Sequence, residues 1–326
     1  MDVLSRKLRI GAVVIGRNEG QRLVRCLESL LNSVEYVVYV DSGSSDHSVQ
    51  EAERRGVECL SLDMNLPFTA ARARNEGANY LLHKFPDLNA IQFIDGDCEV
   101  QPDWISKAQD FLEAKTEYAV VCGRCRERFP EQSIYNQLCD IEWNTPVGDA
   151  MACGGNALIR VSAFIQVDGY KNGLIAGEEP EMCFRLRTQG WKIYRLDEEM
   201  TLHDAAITQF SQWWKRTTRT GYAYVSVSSI HGKSEERYWV KETERIILWG
   251  LLLPIVIVAL SIINLLYVAL LLIYFVQIVR VGLKRSDLGS IKFKWAASIV
   301  LGKIPEALGL LKYYLIRNTI AIIEYK

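Results

Sequence analysis

The 34 residues 246–279 carry no charged side chain, and nothing else in the sequence limits the fold so strongly. As one α-helix they would run roughly 51 Å at about 1.5 Å per residue, far beyond the about 30 Å of hydrocarbon in a bilayer. Two spans of about 17–20 residues joined near 261–264 fit better, at the short end of what crosses a membrane, so a re-entrant hairpin stays open. Lys241 and Arg245 precede the run, and Arg280, Lys284 and Arg285 follow it. The positive-inside rule then returns both ends to the cytoplasmic side. The alternative, a buried hairpin of a soluble protein, is disfavoured by the charge-free length. Further on, Lys292, Lys294, Lys303, Lys312 and Arg317 alternate with Phe293, Trp295, Ile304, Leu308, Leu311 and Tyr314. That mixture predicts helices lying in the interface plane, with Pro305 as a break between them. The chain thus divides into a globular domain over 1–235, a membrane hairpin over 236–285 and amphipathic interfacial helices over 286–326.

Charge changes at the same boundary. The chain has 38 basic and 39 acidic side chains, yet residues 236–326 hold a net +6 and the remainder −7. A basic segment that is also the apolar one suits contact with membrane lipids, and the acidic part excludes a nucleic-acid partner by bulk charge. Eight cysteines lie scattered in apolar or strand-like stretches without a secretory leader at the start, which predicts a reducing, cytoplasmic setting for the globular domain. Cys122 and Cys125 form one CxxC with neither a second pair nor a nearby histidine, so they read as strand residues.

Within the first 125 residues, short apolar runs alternate with helical patterns. Residues 8–15 read as a strand, Leu23, Leu27, Leu30 and Leu31 as a helix face, and 36–40 as a second strand. A helix over 46–55 stops at Gly56, a third strand contains Cys59, and a helix covers 70–83. A strand at 90–94, a helix at 104–115 and a strand at 118–122 follow. This alternation predicts an α/β fold with a doubly wound, mostly parallel, Rossmann-like sheet, whose ligands bind beyond the carboxyl ends of the strands.

Three of those strand ends are polar: Gly16-Arg17-Asn18-Glu19, Asp41-Ser42-Gly43-Ser44-Ser45-Asp46 and Asp95-Gly96-Asp97-Cys98. Such residues also cap helices and form turns, which is the preferred reading for Asp46. Asp95 and Asp97 differ, because two carboxylates flanking a glycine right after an apolar strand converge where a hard cation would relieve their repulsion.

In this order the segments resemble family 2 glycosyltransferases of the GT-A fold. The resemblance rests on Asn18-Glu19, VDxGSxD at 40–46, AxxRNxG at 71–77, FIDGD at 93–97, Gly154-Gly155-Asn156 and the run 177–186, and it spans roughly residues 8–220. It implies sugar transfer from a nucleotide-sugar donor, with inversion and with Mg²⁺ or Mn²⁺ held by Asp97. It also implies a nucleoside pocket lined by Ile15, Arg17, Glu19 and Asp41, with Asp95 near the ribose and Gly96 among the donor contacts. Arg74 would reach the nucleotide or a phosphate, a solvated helix face being its alternative. His203 would complete the metal shell, whereas His47, His83 and His231 carry no role.

An attacking hydroxyl needs a carboxylate to take its proton. The family's Glu-Asp-x-Asp is Glu178-Glu179-Pro180-Glu181 here, so Glu179 stands at the base position, with Glu178 and Glu181 as alternatives. Pro180 fits the first helical position, which would put Glu179 at the N-cap. Gly155, Asn156 and Glu178 would face the acceptor. The run 209–216 is similar to the QxxRW signature of processive members, but Gln212 replaces the arginine. Trp213, Trp214 and Arg216 could stack on a sugar acceptor and grip a diphosphate, or the helix could simply pack its aromatics. The expected acceptor is a lipid-linked saccharide at the cytoplasmic face of a bacterial inner membrane, in cell-surface polysaccharide synthesis, with UDP ahead of GDP as donor nucleotide. A polyprenyl-phosphate glycosyl synthase and a non-catalytic membrane scaffold with a sugar-nucleotide-binding module are the rivals.

Overall fold

The computed structural model describes residues 7–316, so Arg317 and the rest of the expected interfacial segment to 326 lie outside the described residues. The chain forms two compact units that meet in sequence at Thr208 and Gln209. The expected domain boundary near 235 therefore moves: the helix Phe210–His231 belongs to the second unit.

The first unit is built on a nine-stranded sheet. Strands β1 (Ile10–Gly16), β2 (Tyr36–Asp41), β3 (Glu58–Ser61) and β4 (Ala90–Asp95) pair in parallel in the order β3-β2-β1-β4. β1 reads IGAVVIG without alternation because helices cover both of its faces. Helix α1 (Gln21–Leu30) buries Leu23, Leu27 and Leu30 of the expected stripe, whereas Leu31 falls at the C-cap and is exposed. Helix α3 (Ala70–Lys84) starts on Thr69, whose hydroxyl accepts from Arg72 N at 3.0 Å. α3 lies so close to the sheet that a Cβ at Gly77 would stand 2.5 Å from Val13 Cγ1.

After β4 the parallel rule breaks. β8 (Ala157–Arg160) runs antiparallel to β4 and to β6 (Tyr118–Glu127), and β9 (Lys192–His203) pairs in parallel with β6 through several register shifts. β5 (Cys98–Val100) and β7 (Gly148–Asp149) add antiparallel edges to β9. The sheet is thus mixed, with parallel ladders carrying most of the pairing. One expected strand was too short: β6 runs on to Glu127.

The second unit is helical. After α8 (Phe210–His231), a continuous helix occupies Val240–Ile263 and another Leu265–Leu283. Both are long and apolar enough to cross a membrane. The break falls inside the expected 261–264 window, at Asn264, which leaves the helical region at φ −150° and caps Leu266 N with its side chain. A π turn at Ile247–Leu252 precedes Pro254, as expected where a proline removes an i→i−4 hydrogen bond. Helices α12 (Lys292–Leu301) and α13 (Lys303–Ile316) follow. They separate at Gly302; Pro305 sits in the first turn of α13, where its missing N–H costs nothing, and is not the break itself.

Candidate active site

Strand pairing delivers the polar segments to one edge of the sheet. Ile15 aligns with Asp95 and Gly16 with Asp41, so the ends of β1, β2 and β4 sit side by side. The Ile15 carbonyl accepts from Gly96 N at 2.8 Å, and a Cβ on Gly96 would come within 3.1 Å of that oxygen. Asp41, only 3% exposed, accepts from Tyr39 Oη at 2.9 Å, Gly43 N at 3.0 Å and Ser44 N at 2.9 Å. Its carboxylate shapes its own loop. Asn18 adopts φ 57° and accepts through Oδ1 from Ser45 N, joining the first two segments. Arg17 donates to the Gly43 carbonyl at 3.3 Å and lies over the Phe68 ring, while Glu19 pairs with Arg22 at 2.6 Å. Asp46 accepts from Ser48 N at 2.9 Å, the helix-starting role expected of it.

The antiparallel pairing of β5 with the end of β9 sets Cys98 opposite His203 and brings Asp97 Oδ1 to 3.2 Å from His203 Nε2. Burial by itself would lower the imidazole pKa, but the Asp97 charge and hydrogen bond, with help from Cys125, hold it well above its ordinary value. With no cation bound, the imidazole thus favours its protonated form beside the partly exposed Asp97 carboxylate. One carboxylate oxygen and one imidazole nitrogen this close form a donor set that fits Mn²⁺ or Mg²⁺, with the positive imidazolium occupying the electrostatic place of a cation. The Cys98 thiol also falls in this group and accepts from Asn156 Nδ2.

Arg74 is not on a solvated helix face, the alternative expected for it. It is 2% exposed on α3, donates to Asp95 Oδ1 and to Glu178 Oε1, each at 2.8 Å, and lies over the Tyr170 ring. One guanidinium thus ties the β4 carboxylate to the first turn of α7 (Glu178–Thr188). Arg72 faces elsewhere and donates to the carbonyls of Asp63 and Leu66. Gly155 packs under this junction: a Cβ there would stand 2.9 Å from both Arg74 Nη2 and Asp95 Oδ2. Asn156, expected at the acceptor, is buried, and its amide oxygen accepts from Asp95 N at 2.8 Å. It positions the aspartate loop.

In α7 the N-cap is Gly177 at φ 83°, so Glu179 is the second helical residue and Pro180 the third, each two positions later in the helix than expected. Glu181 is fully buried and paired with Arg185, whose guanidinium also donates to the carbonyls of Val167 and Gly169; its task is to anchor the preceding loop. Glu179 is the other buried acid. Its Oε1 accepts from Cys153 N at 2.6 Å and from Cys183 Sγ at 3.0 Å, and burial raises its pKa against those hydrogen bonds.

Residues 12–167 match the family model for glycosyl transferase family 2. That stretch of the first unit carries a family 2 glycosyltransferase domain. No curated protein matches the chain. Among solved structures, the chain is similar to a mannosyltransferase from Pyrobaculum calidifontis in complex with GDP-Man and Mn²⁺, at 15% identity and a TM-score of 0.64, over 94% of this chain and 88% of that one. It is also similar to glucosyl-3-phosphoglycerate synthase from Mycobacterium tuberculosis in complex with Mn²⁺, UDP and glucosyl-3-phosphoglycerate, at 15% identity and a TM-score of 0.51, over 69% and 80%. At these identities the likeness is one of fold, and it places the glycosyltransferase unit among GT-A proteins. The first of the two matches extends past residue 208 into the helical unit.

In the glycosyltransferase unit the structure gathers Asp95, Asp97, His203, Arg74, Gly155, Glu178 and Glu179 from β4, β9, α3 and α7 and their adjoining loops. Trp213, Trp214 and Arg216 lie on α8 of the other unit, where Trp213 and Trp214 stack around Phe210. Sequence reading missed that Cys153 and Cys183 flank Glu179. Residues 30 apart give no local signal of such a meeting, although the i, i+4 spacing of Glu179 and Cys183 puts them on one helix face.

Proposed function

We propose that this chain transfers a sugar, with inversion, from a nucleotide-sugar to a hydroxyl of a lipid-linked saccharide at the cytoplasmic face of a bacterial inner membrane. The observation that carries the reading is the Arg74 bridge, which holds the donor-side Asp95 and the acceptor-side Glu178 on one buried guanidinium, one residue from Glu179. In the proposed reaction the acceptor oxygen attacks the anomeric carbon as the bond from that carbon to the diphosphate breaks. The nucleoside diphosphate leaves with the electron pair, and the hydroxyl proton passes to the Glu179 carboxylate. Burial raises the pKa of Glu179 and so makes it a stronger proton acceptor than an exposed glutamate. Asp97 and His203 would hold Mn²⁺ or Mg²⁺, which supplies positive charge to the departing diphosphate. Asp41, Arg17, Glu19 and Ile15 would frame the nucleoside, with UDP and GDP as the candidates. The solved relatives support both, since one binds GDP-Man and the other UDP. A lipid-linked acceptor is supported by the two apolar helices that follow the catalytic unit in sequence.

Calorimetric binding of UDP and GDP with and without Mn²⁺ tests the donor site. Asp97→Ala is expected to weaken metal-dependent nucleotide binding at least about 100-fold. Unchanged binding overturns the metal assignment. Glu179→Gln is expected to lower transfer about 10³-fold or more while leaving nucleotide affinity within about twofold. Full activity of Glu179→Gln would favour a phosphate acceptor, which is already ionised and needs no base. Because the base must be deprotonated, transfer in the wild type should fall with acid at a higher pH than an unperturbed glutamate, about 4.3, would give. A pH–rate profile measures this.

A further inference from the structure

The second group of metal-ligating side chains in the first unit is chemically unlike the first. Cys153 lies in the loop before β8, while Glu179 and Cys183 stand on adjacent turns of one face of α7; all three are buried. Their donor atoms lie within 4.8 Å of one another. The two sulfurs are 3.7 Å apart. Two thiolates bound to one tetrahedral Zn²⁺ at about 2.3 Å each stand about 3.8 Å apart, so the thiols are already spaced as neighbouring corners of such a site. The Glu179 oxygen, 3.0 Å from Cys183 Sγ, supplies a third corner.

We propose that Cys153, Glu179 and Cys183 form a binding site for a thiophilic divalent cation of the Zn²⁺ class, separate from the Asp97–His203 pair. The donor sets differ: two sulfurs and a carboxylate favour Zn²⁺, Co²⁺ or Cd²⁺ strongly over hard cations, whereas the Asp97–His203 pair, with a single thiol beside it, also accepts Mn²⁺ or Mg²⁺. The charge balance favours the exchange. A carboxylate with two neutral thiols carries −1, and the same carboxylate with two thiolates and Zn²⁺ again carries −1. One metal ion enters, two protons leave, and no net charge is added to a buried place. Because uptake displaces two thiol protons, binding is expected to strengthen as pH rises. Resting on the proposed role of Glu179 as base, the same cation would take that carboxylate away from the acceptor proton and block transfer. Zn²⁺ would then inhibit the enzyme at a site that Mn²⁺ does not occupy.

The test uses the full-length protein, reduced and freed of metal, titrated with Co²⁺ as a spectroscopic probe and with Zn²⁺ against a chromophoric chelator. One equivalent should bind, with a thiolate-to-metal charge-transfer band and release of about two protons. Cys183→Ser and Cys153→Ser should each weaken binding at least about 100-fold, more than the 10- to 100-fold typical of removing a mere supporting partner. Asp97→Asn and Cys122→Ser should leave it unchanged. Retained nucleotide binding confirms that the cysteine variants are folded, an unchanged circular dichroism spectrum does so for Asp97→Asn, and the wild-type band and proton count stand even if a cysteine variant is not. Absence of the band, uptake that survives both cysteine changes, or uptake lost in Asp97→Asn overturns the site. If Zn²⁺ binds here and transfer continues, the site stands and the base assignment fails. If no Zn²⁺ binds and Glu179→Gln is still inactive, the site fails and the base assignment stands.

Discussion

The two units solve the problem of apolar surface in opposite ways. In the first, the central strands hide their apolar side chains: Val13, Phe93, Leu158 and Ile159 have no exposure, and polar residues cluster at the strand ends. In the second, the largest apolar side chains point outward, with Ile262 82% and Leu266 81% exposed. For an ordinary soluble surface this would be an aggregation hazard, but for helices bathed in hydrocarbon it is the expected arrangement. What holds the helical unit together is accordingly not a large apolar interior but close backbone approach at small residues. A Cβ on Gly309 of α13 would stand 2.0 Å from Thr218 O of α8, and one on Gly250 would stand 1.9 Å from Lys303 O. The same sequence therefore folds one half by sequestering side chains from water and the other by bringing main chains into contact.

That contrast can be broken at three points. Gly309→Leu should cost the most, upwards of about 4 kcal/mol, because backbone atoms cannot yield as a side chain does and α8 and α13 must part. Thermal unfolding of detergent-solubilised protein should show the helical unit melting early while nucleotide binding by the first unit persists; equal loss of both would mean the units are not independent. Leu158→Ala, in the centre of the sheet, should cost about 3 kcal/mol through lost transfer energy and a cavity, read as a lower midpoint of chemical unfolding. Leu266→Ala removes the same atoms from an outward position and should change that midpoint by less than about 0.5 kcal/mol. A cost for Leu266→Ala as large as that for Leu158→Ala would show that the outward face is covered by protein instead of lipid.

Much of the fold was legible because local pattern and global position agreed. The parallel half of the sheet follows from unbroken apolar runs and caps, and the Asn264 break follows from length alone. The later strands were not legible for a physical reason. β9, KIYRLDEEMTLH, pairs with three different strands across several register shifts, so no single face stays buried long enough to impose alternation. In the site, the identities of Asp95, Asp97, His203 and the glutamate cluster could be read from the motifs, but their division of labour could not. The motifs gave no sign that α3 buries Arg74 between two acids. Asn156 looked like an acceptor contact until its amide was found under Asp95 N, and the meeting of Cys153 with Cys183 exists only in three dimensions.

The pairing of β5 with β9 has a mechanical consequence. Cys98 and His203 are partners in a ladder, and Asp97 is one residue from that ladder, so the main-chain spacing of Asp97 and His203 is set by the sheet and not by a loop. To widen it, main-chain hydrogen bonds would have to break. Glu179, by contrast, sits in the first turn of a helix that follows a left-handed glycine, held at one oxygen by a loop amide. The molecule thus carries a fixed jaw and an adjustable one, and differences in acceptor among proteins built this way should accumulate on the adjustable side.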